Sequence, residues 1–147
     1  MGSEPQILLI NGPNLNVLGR REPRIYGSLT LAEVEEVARS AATDAGLVLT
    51  CFQSNSEADI VSAVQNSRDV YAGIVINAGA LTHSSWALAD ALSYFGGVVI
   101  EVHITNTLAR EAWRHISVIS PVARGSIQGF GVFGYELAVR AMKELVG

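Results

Sequence analysis

Lysine is almost missing from this chain: Lys143 is the only one in 147 residues. A reaction that tethers a carbonyl substrate as a lysine imine has a single nitrogen to use. That nitrogen borders the apolar stripe of the last helical segment, far in topology from the polar strand ends. Cysteine is as scarce. Cys51 stands alone, so no internal disulfide exists, and its setting in Val48-Leu49-Thr50-Cys51-Phe52 reads as an inert strand residue in a reducing compartment. Charge is low at 16% with a net of −4, and no block of five basic residues occurs, so the footprint of a nucleic-acid binder is lacking. No apolar run approaches ~18 residues, which argues against a membrane span. The start Met-Gly-Ser-Glu-Pro-Gln has neither a signal-peptide pattern nor the hydroxyl residue that myristoylation favours. These absences point to a cytoplasmic protein with a small-molecule partner, without nucleic acid or membrane.

What is present is apolar, 49% of the residues, which suits a sheet covered on both faces with surface left over for subunit contacts. Short β-branched or aliphatic runs at Gln6–Ile10, Val48–Phe52, Gly73–Ile76, Val98–Val102 and Gly125–Gln128 predict five strands. Leu31, Val34, Ala38, Ala41, Ala42 and Ala45 share a helical face behind the capping-box spacing Thr30 to Glu33, and Gly46 ends that helix. A second such spacing, Ser54 to Glu57, predicts another helix. A third helix follows Thr82-His83-Ser84-Ser85, and a last one runs from about Gly134 to Leu145 with Tyr135, Ala138, Val139, Met142 and Val146 inward. The alternation βαβαβαβαβ implies an α/β fold in one domain, residues 1–147: a flavodoxin-like, five-stranded parallel sheet of order 2-1-3-4-5 with helices on both faces.

In such sheets ligands gather beyond the carboxyl ends of the strands. Asn11-Gly12-Pro13-Asn14 and Gly19-Arg20-Arg21-Glu22-Pro23-Arg24-Ile25-Tyr26-Gly27 follow the first strand. Asn77-Ala78-Gly79-Ala80-Leu81-Thr82-His83 follows the third, and the fourth ends in Glu101-Val102-His103-Ile104-Thr105-Asn106, with Arg110 and Arg114 beyond. Meeting at one edge, these groups suit a small anionic substrate. Each has a plain alternative: a tight turn for Asn-Gly-Pro-Asn, solvated charges for the arginines, a loop cover for Tyr26, a helix-start hydrogen bond for His83, a structural pair for Glu101 and His103. Metal ligation by His83, Glu101, His103 and His115 lacks the tight spacing of common zinc sites, with His115 expected on a helix. Gly129-x-Gly131-x-x-Gly134 matches a dinucleotide fingerprint, yet the chain ends before any strand that would carry the ribose-binding acid, so a close-packed glycine turn fits better. No G-x-S-x-G elbow exists.

The motifs LLINGPNLNVLGRREPRIYG, INAGALTHSSWALADAL, IEVHITN and SPVARGSIQGFGVFGY, in this order over nearly the whole chain, resemble the type II 3-dehydroquinate dehydratases. The resemblance implies a cofactor-free, metal-free hydro-lyase that converts 3-dehydroquinate to 3-dehydroshikimate through an enolate, in the shikimate pathway or in quinate catabolism. It also implies a homo-oligomer, a dodecamer built as a tetramer of trimers. It assigns Tyr26 as general base, Arg21 as the arginine of a mobile lid, and Asn14 as the group holding a water against the enolate. His103 is the acid for the leaving hydroxyl, with Glu101 as partner. Asn77, Gly79, His83, Arg114 and the amides of Ile104 and Thr105 fall on substrate-binding positions, and Asp90 on one that reaches the neighbouring subunit's site. Thr105, Leu108, Ala89, Ile116 and Val118 depart from the pattern, changes expected to touch subunit contacts or affinity. The chemistry is consistent with the residues. Without an iminium the enolate must be stabilised directly, Arg21 near a phenol favours its anion, and a histidine paired with a carboxylate can protonate a leaving hydroxyl. The strand-four end, Thr105-Asn106, next to an expected helix start, would offer amides to a carboxylate.

Overall fold

The computed structural model describes residues 2–147; Met1, the first residue of the expected domain, lies outside the described residues. Five parallel strands form one sheet: β1 (Gln6–Asn11), β2 (Val48–Gln53), β3 (Gly73–Asn77), β4 (Val98–His103) and β5 (Gly125–Gln128), in the order β2-β1-β3-β4-β5. Their side chains alternate between two cores. Ile7 and Leu9 of β1, with Val75, Ile100 and Val102, pack under helices α2 (Leu31–Asp44) and α5 (Phe133–Val146). Leu8 and Ile10, with Ile74, Ile76 and Val99, pack under α3 (Glu57–Ser67) and α4 (Trp86–Phe95). A central strand buried on both faces must read as a continuous apolar run, as β1 and β3 do. The flavodoxin-like architecture expected from the sequence is thus present.

Local signals position the helices. Thr30 Oγ1 accepts from Glu33 N while Glu33 Oε1 accepts from Thr30 N, the full capping box of α2. At α3 the cap shifts two residues from the expected Ser54: Ser56 Oγ accepts from Asp59 N, and Ser54 instead accepts from Ser56 N. Both serines compete for amides, and the later one has the N3 donor in reach. A four-residue α1 (Pro23–Tyr26), unanticipated, starts after Glu22 at φ 38° with Pro23 fixing its first turn.

The last crossover corrects the expected alternation. No α-helix joins β4 to β5; residues 104–124 form three short 3₁₀ turns, Thr107–Ala109, Ala112–Arg114 and Ser120–Val122. Side chains there take the donors a helix would use, Asn106 Oδ1 from Leu108 N and Ser117 Oγ from Ile119 N and Ser120 N. His115 therefore closes a three-residue turn and does not sit on a helix. Thr105-Asn106 likewise precedes no helix long enough to have a positive end.

All five strands extend one residue past their last apolar side chain. In register, Asn11 pairs with Gln53 and with Asn77, and His103 with Gln128, so the carboxyl edge of the sheet is a polar row. Tyr135, fully buried on α5, reaches into it. Its hydroxyl donates to Asn11 Oδ1 at 2.7 Å and accepts from Asn77 Nδ2 at 2.9 Å. Burial pushes this phenol far above the ordinary range, and the bond from Asn77 only partly offsets that, so it serves as a neutral donor. The glycine turn after β5 also grips this edge, with Gly129 N on His103 O and Gly131 N on Ile104 O.

Tyr135→Phe keeps the ring but leaves two buried amide groups without a partner. It should cost about 1–3 kcal/mol, read as a lower thermal and urea midpoint; unchanged midpoints would show that the hydroxyl does not tie α5 to the sheet.

Candidate active site

Just beyond the polar row lies a cleft. Asn14 enters it from the turn after β1 in a left-handed conformation, φ 70°, which asparagine tolerates. Its amide donates to Asn55 Oδ1 at 2.9 Å, and Gln53 Nε2 donates to the same oxygen and to Gly12 O. Gly12 packs so closely that a Cβ there would lie 2.5 Å from Ala78 O, which locks the turn after β1 to the turn after β3. From that second turn come Asn77, Gly79 and His83, and Asn77 Oδ1 accepts from Gly79 N at 3.1 Å.

The segment before α1 lays Arg21 across the cleft, its guanidinium carbon 4.6 Å from the centre of the Tyr26 ring. The phenolic oxygen has another partner. Arg110 Nη1 donates to Tyr26 Oη at 2.7 Å and approaches Thr105 Oγ1 at 3.4 Å. Arg20 and Arg24, from the same basic cluster, do not line the cleft, and Tyr26 itself is buried. His115 supports this arrangement from behind, its Nε2–H on Arg110 O at 2.9 Å.

The opposite wall carries His103, 8% exposed, with Nε2 2.6 Å from Glu101 Oε2. Glu101 is buried behind it and also accepts from Ser117 and Ser120. Burial alone would raise the Glu101 carboxyl; hydrogen bonds from His103, Ser120 and Ser117 outweigh it and hold the group below the usual carboxylate range. His83 is pushed down by burial, against the opposing pull of the Ile116 carbonyl that its Nδ1–H reaches at 2.8 Å. Its Nε2 is therefore the nitrogen left without that bond. Arg114 is fixed by Glu111, Nε to Oε2 2.7 Å, an ion pair that in turn holds Glu111 low.

Ten of the twelve residues singled out in the sequence meet at this cleft: Asn14, Arg21, Tyr26, Asn77, Gly79, His83, His103, Ile104, Thr105 and Arg114. Glu101 stands one layer behind. Asp90 does not join them; it lies exposed on α4. Sequence reasoning noted Arg110 beyond β4 but gave it no role, and it missed Asn55, Ser117 and Ser120. Among the lining residues three are arginines and none is a carboxylate, although the chain carries a net charge of −4. Such a cleft is built for an anion. Among the described residues, no three His, Cys, Asp or Glu side chains converge as a metal cluster would require. Lys143 lies near the end of α5, outside the cleft lining.

Residues 5–143 match the family described as dehydroquinase class II. The chain belongs to that family. It is 48% identical over 141 residues to a 3-dehydroquinate dehydratase of Anoxybacillus flavithermus, covering 96% of this chain and 95% of that one. It is 55% identical over 133 residues to catabolic 3-dehydroquinase 1 of Aspergillus terreus, covering 90% and 88%. The type II dehydroquinase structure from Propionibacterium acnes superposes with a TM-score of 0.93 at 40% identity, over 98% of this chain and 99% of the other.

Because Glu101 is held below its ordinary pKa in the folded state, its contribution to stability is complete above the unfolded carboxyl pKa and is lost as pH falls through the folded one. Glu101→Gln should thus narrow its stability gap to the parent only as pH drops below the ordinary glutamate value of 4.5 in urea titrations. A gap that widens on acidification would contradict this sign.

Proposed function

We propose that this chain is a 3-dehydroquinate dehydratase, a lyase that removes water from 3-dehydroquinate through an enolate, and that it does so with its own side chains. The observation that carries the reading is that Tyr26 Oη, hydrogen-bonded to the Arg110 guanidinium, shares one cleft with the His103–Glu101 pair. Relatives of matching length carry the same activity in their names, one of them as a catabolic enzyme, so a biosynthetic or a catabolic role accords with the family.

A guanidinium donating to a phenolic oxygen stabilises phenolate over phenol. The phenolate of Tyr26 removes the proton beside the substrate ketone, and the electron pair moves onto the carbonyl oxygen. Asn14 holds a water against that enolate, which replaces the iminium a lysine would have formed. When the enolate collapses, the β-hydroxyl leaves with the proton of His103 as water, and a carbon–carbon double bond conjugated to the carbonyl remains. Tyr26 is then protonated and His103 has lost a proton, so one net proton transfer restores the enzyme. No electrons change hands, and the chemistry calls for no redox cofactor. Arg21 covers the ring of Tyr26 and closes the site against water; Asn77, Gly79, His83, Arg114 and the Ile104 and Thr105 amides hold the hydroxyls and carboxylate of the substrate.

One domain spans the chain and works in the cytoplasm as a homododecamer, a tetramer of trimers, with Asp90 reaching a neighbouring site. Large apolar side chains left on the surface support association: Trp86 is 71%, Ile116 73% and Leu108 60% exposed. Trp86 shares α4 with Asp90. Among the described residues, no helix is long and apolar enough to cross a membrane.

Added 3-dehydroquinate, without metal or cofactor, should give the rising ultraviolet absorbance of a conjugated enoate; silence at every pH from about 6 to 9 rejects the reading. Tyr26→Phe should lower kcat on the order of 10²-fold or more with the fold intact. Arg110→Met should harm kcat more than Arg21→Met, since only Arg110 touches the oxygen; the reverse ranking would reassign the activating cation. Borohydride added during turnover should leave Lys143 unlabelled.

A further inference from the structure

Ser117 and Ser120 lie outside the cleft, in the turn that wraps behind β4. Glu101 is 1% exposed, and both its oxygens are engaged. Oε2 accepts from His103 Nε2 at 2.6 Å and from Ser117 Oγ at 2.8 Å, and Oε1 accepts from Ser120 Oγ. Ser117 Oγ itself accepts from the amides of Ile119 at 3.1 Å and Ser120 at 2.9 Å. With its lone pairs so occupied, that hydroxyl can only direct its proton at Glu101. The turn cannot drift, because Ile119 is fully buried and Val118 N donates to Thr82 O at 2.8 Å.

We propose that Ser117 and Ser120 are positioning residues of the reaction: by donating to Glu101 they keep the proton shared by Glu101 and His103 on imidazole Nε2, so that the ring is an imidazolium whose Nδ1 proton goes to the leaving hydroxyl. The proposal rests on the dehydratase reading. The pair has two one-proton states, carboxylate with imidazolium and carboxylic acid with imidazole. A hydroxyl donor stabilises the first and does nothing comparable for the second, which biases the equilibrium on the order of tenfold per bond. Without the serines, burial acts on Glu101 with less opposition and draws the proton onto the carboxyl, away from the cleft. The charged and titratable groups that face the pair are few. His83 comes from the turn after β3, and Arg114 and His115 from the turn after β4, while β5 presents only the neutral Ser126 and Gln128. The positive charge of Arg114 favours carboxylate in every variant alike, so the serines are the adjustable part.

The test is an infrared pH titration of the protonated carboxyl band, assigned to Glu101 by its loss in Glu101→Gln, run beside kinetics on 3-dehydroquinate. The variants are Ser117→Ala, Ser120→Ala and the nearly isosteric Ser117→Cys and Ser120→Cys, whose thiols are weak donors and whose shape protects the fold. The Glu101 band should appear at a pH higher by about half a unit or more, and kcat should fall on the order of tenfold with KM within about twofold. Threonine at either position, which keeps the hydroxyl, should restore both. A band whose midpoint is unmoved in folded cysteine variants overturns the proposal, as does a KM that rises in step with the loss of kcat. A moved band in a protein whose parent form leaves 3-dehydroquinate untouched rejects the dehydratase reading while the hold of the serines on the proton stands; an active parent with an unmoved band does the opposite.

Discussion

The Tyr135 hydroxyl, held between Asn11 and Asn77, is the contact on which the rest of the molecule depends. It ties α5 to the ends of β1 and β3, the two strands from which the chain departs in opposite directions at the switch point of the sheet. The turns that follow these strands are locked together by Gly12, whose amide donates to Asn77 O at 2.8 Å. The floor of the cleft is therefore rigid before any substrate arrives. The segment that carries Tyr26 is made differently, from a short helix entered through a left-handed Glu22, with Arg21 and Arg110 against the Tyr26 ring.

Charge is layered around this floor. Guanidinium groups face the cleft, while Glu111 and Glu101, the carboxylates paired with Arg114 and His103, do not line it. The inward face keeps an excess of positive charge on a protein that is negative as a whole, and Tyr26, His103 and Arg114 are each held by a partner within the protein. Tyr135 and Tyr26 show how environment divides one residue type into two uses. The first is enclosed among amides and apolar side chains, where burial favours the neutral phenol. The second has its oxygen against a guanidinium at the cleft, a charged donor that the first lacks.

Much of this was legible in the residues. Strands buried on both faces advertise themselves as aliphatic runs, and Thr30 with Glu33 caps a helix through contacts only three positions apart. The apolar runs of four strands end one residue before the strands do, because the ladder of backbone hydrogen bonds continues through the polar Asn11, Gln53, Asn77 and His103. The crossover from β4 to β5 is not the helix that strand–helix alternation predicts, because side chains such as Asn106 and Ser117 capture its amides, a competition that periodicity does not show.

By itself the sequence determined the order of the strands, the edge at which the polar groups would collect, and the family to which their motifs belong, since all of these follow from local pattern and from a topology with few alternatives. Only the tertiary structure decided which groups touch. Arg110 meets Tyr26 across 84 positions, Tyr135 meets Asn11 across 124, and Ser120 meets Glu101 across 19. No spacing rule encodes such pairs, because they are set by where packed elements bring side chains to within about 3 Å of one another, the distance at which a hydrogen bond or a proton transfer becomes possible.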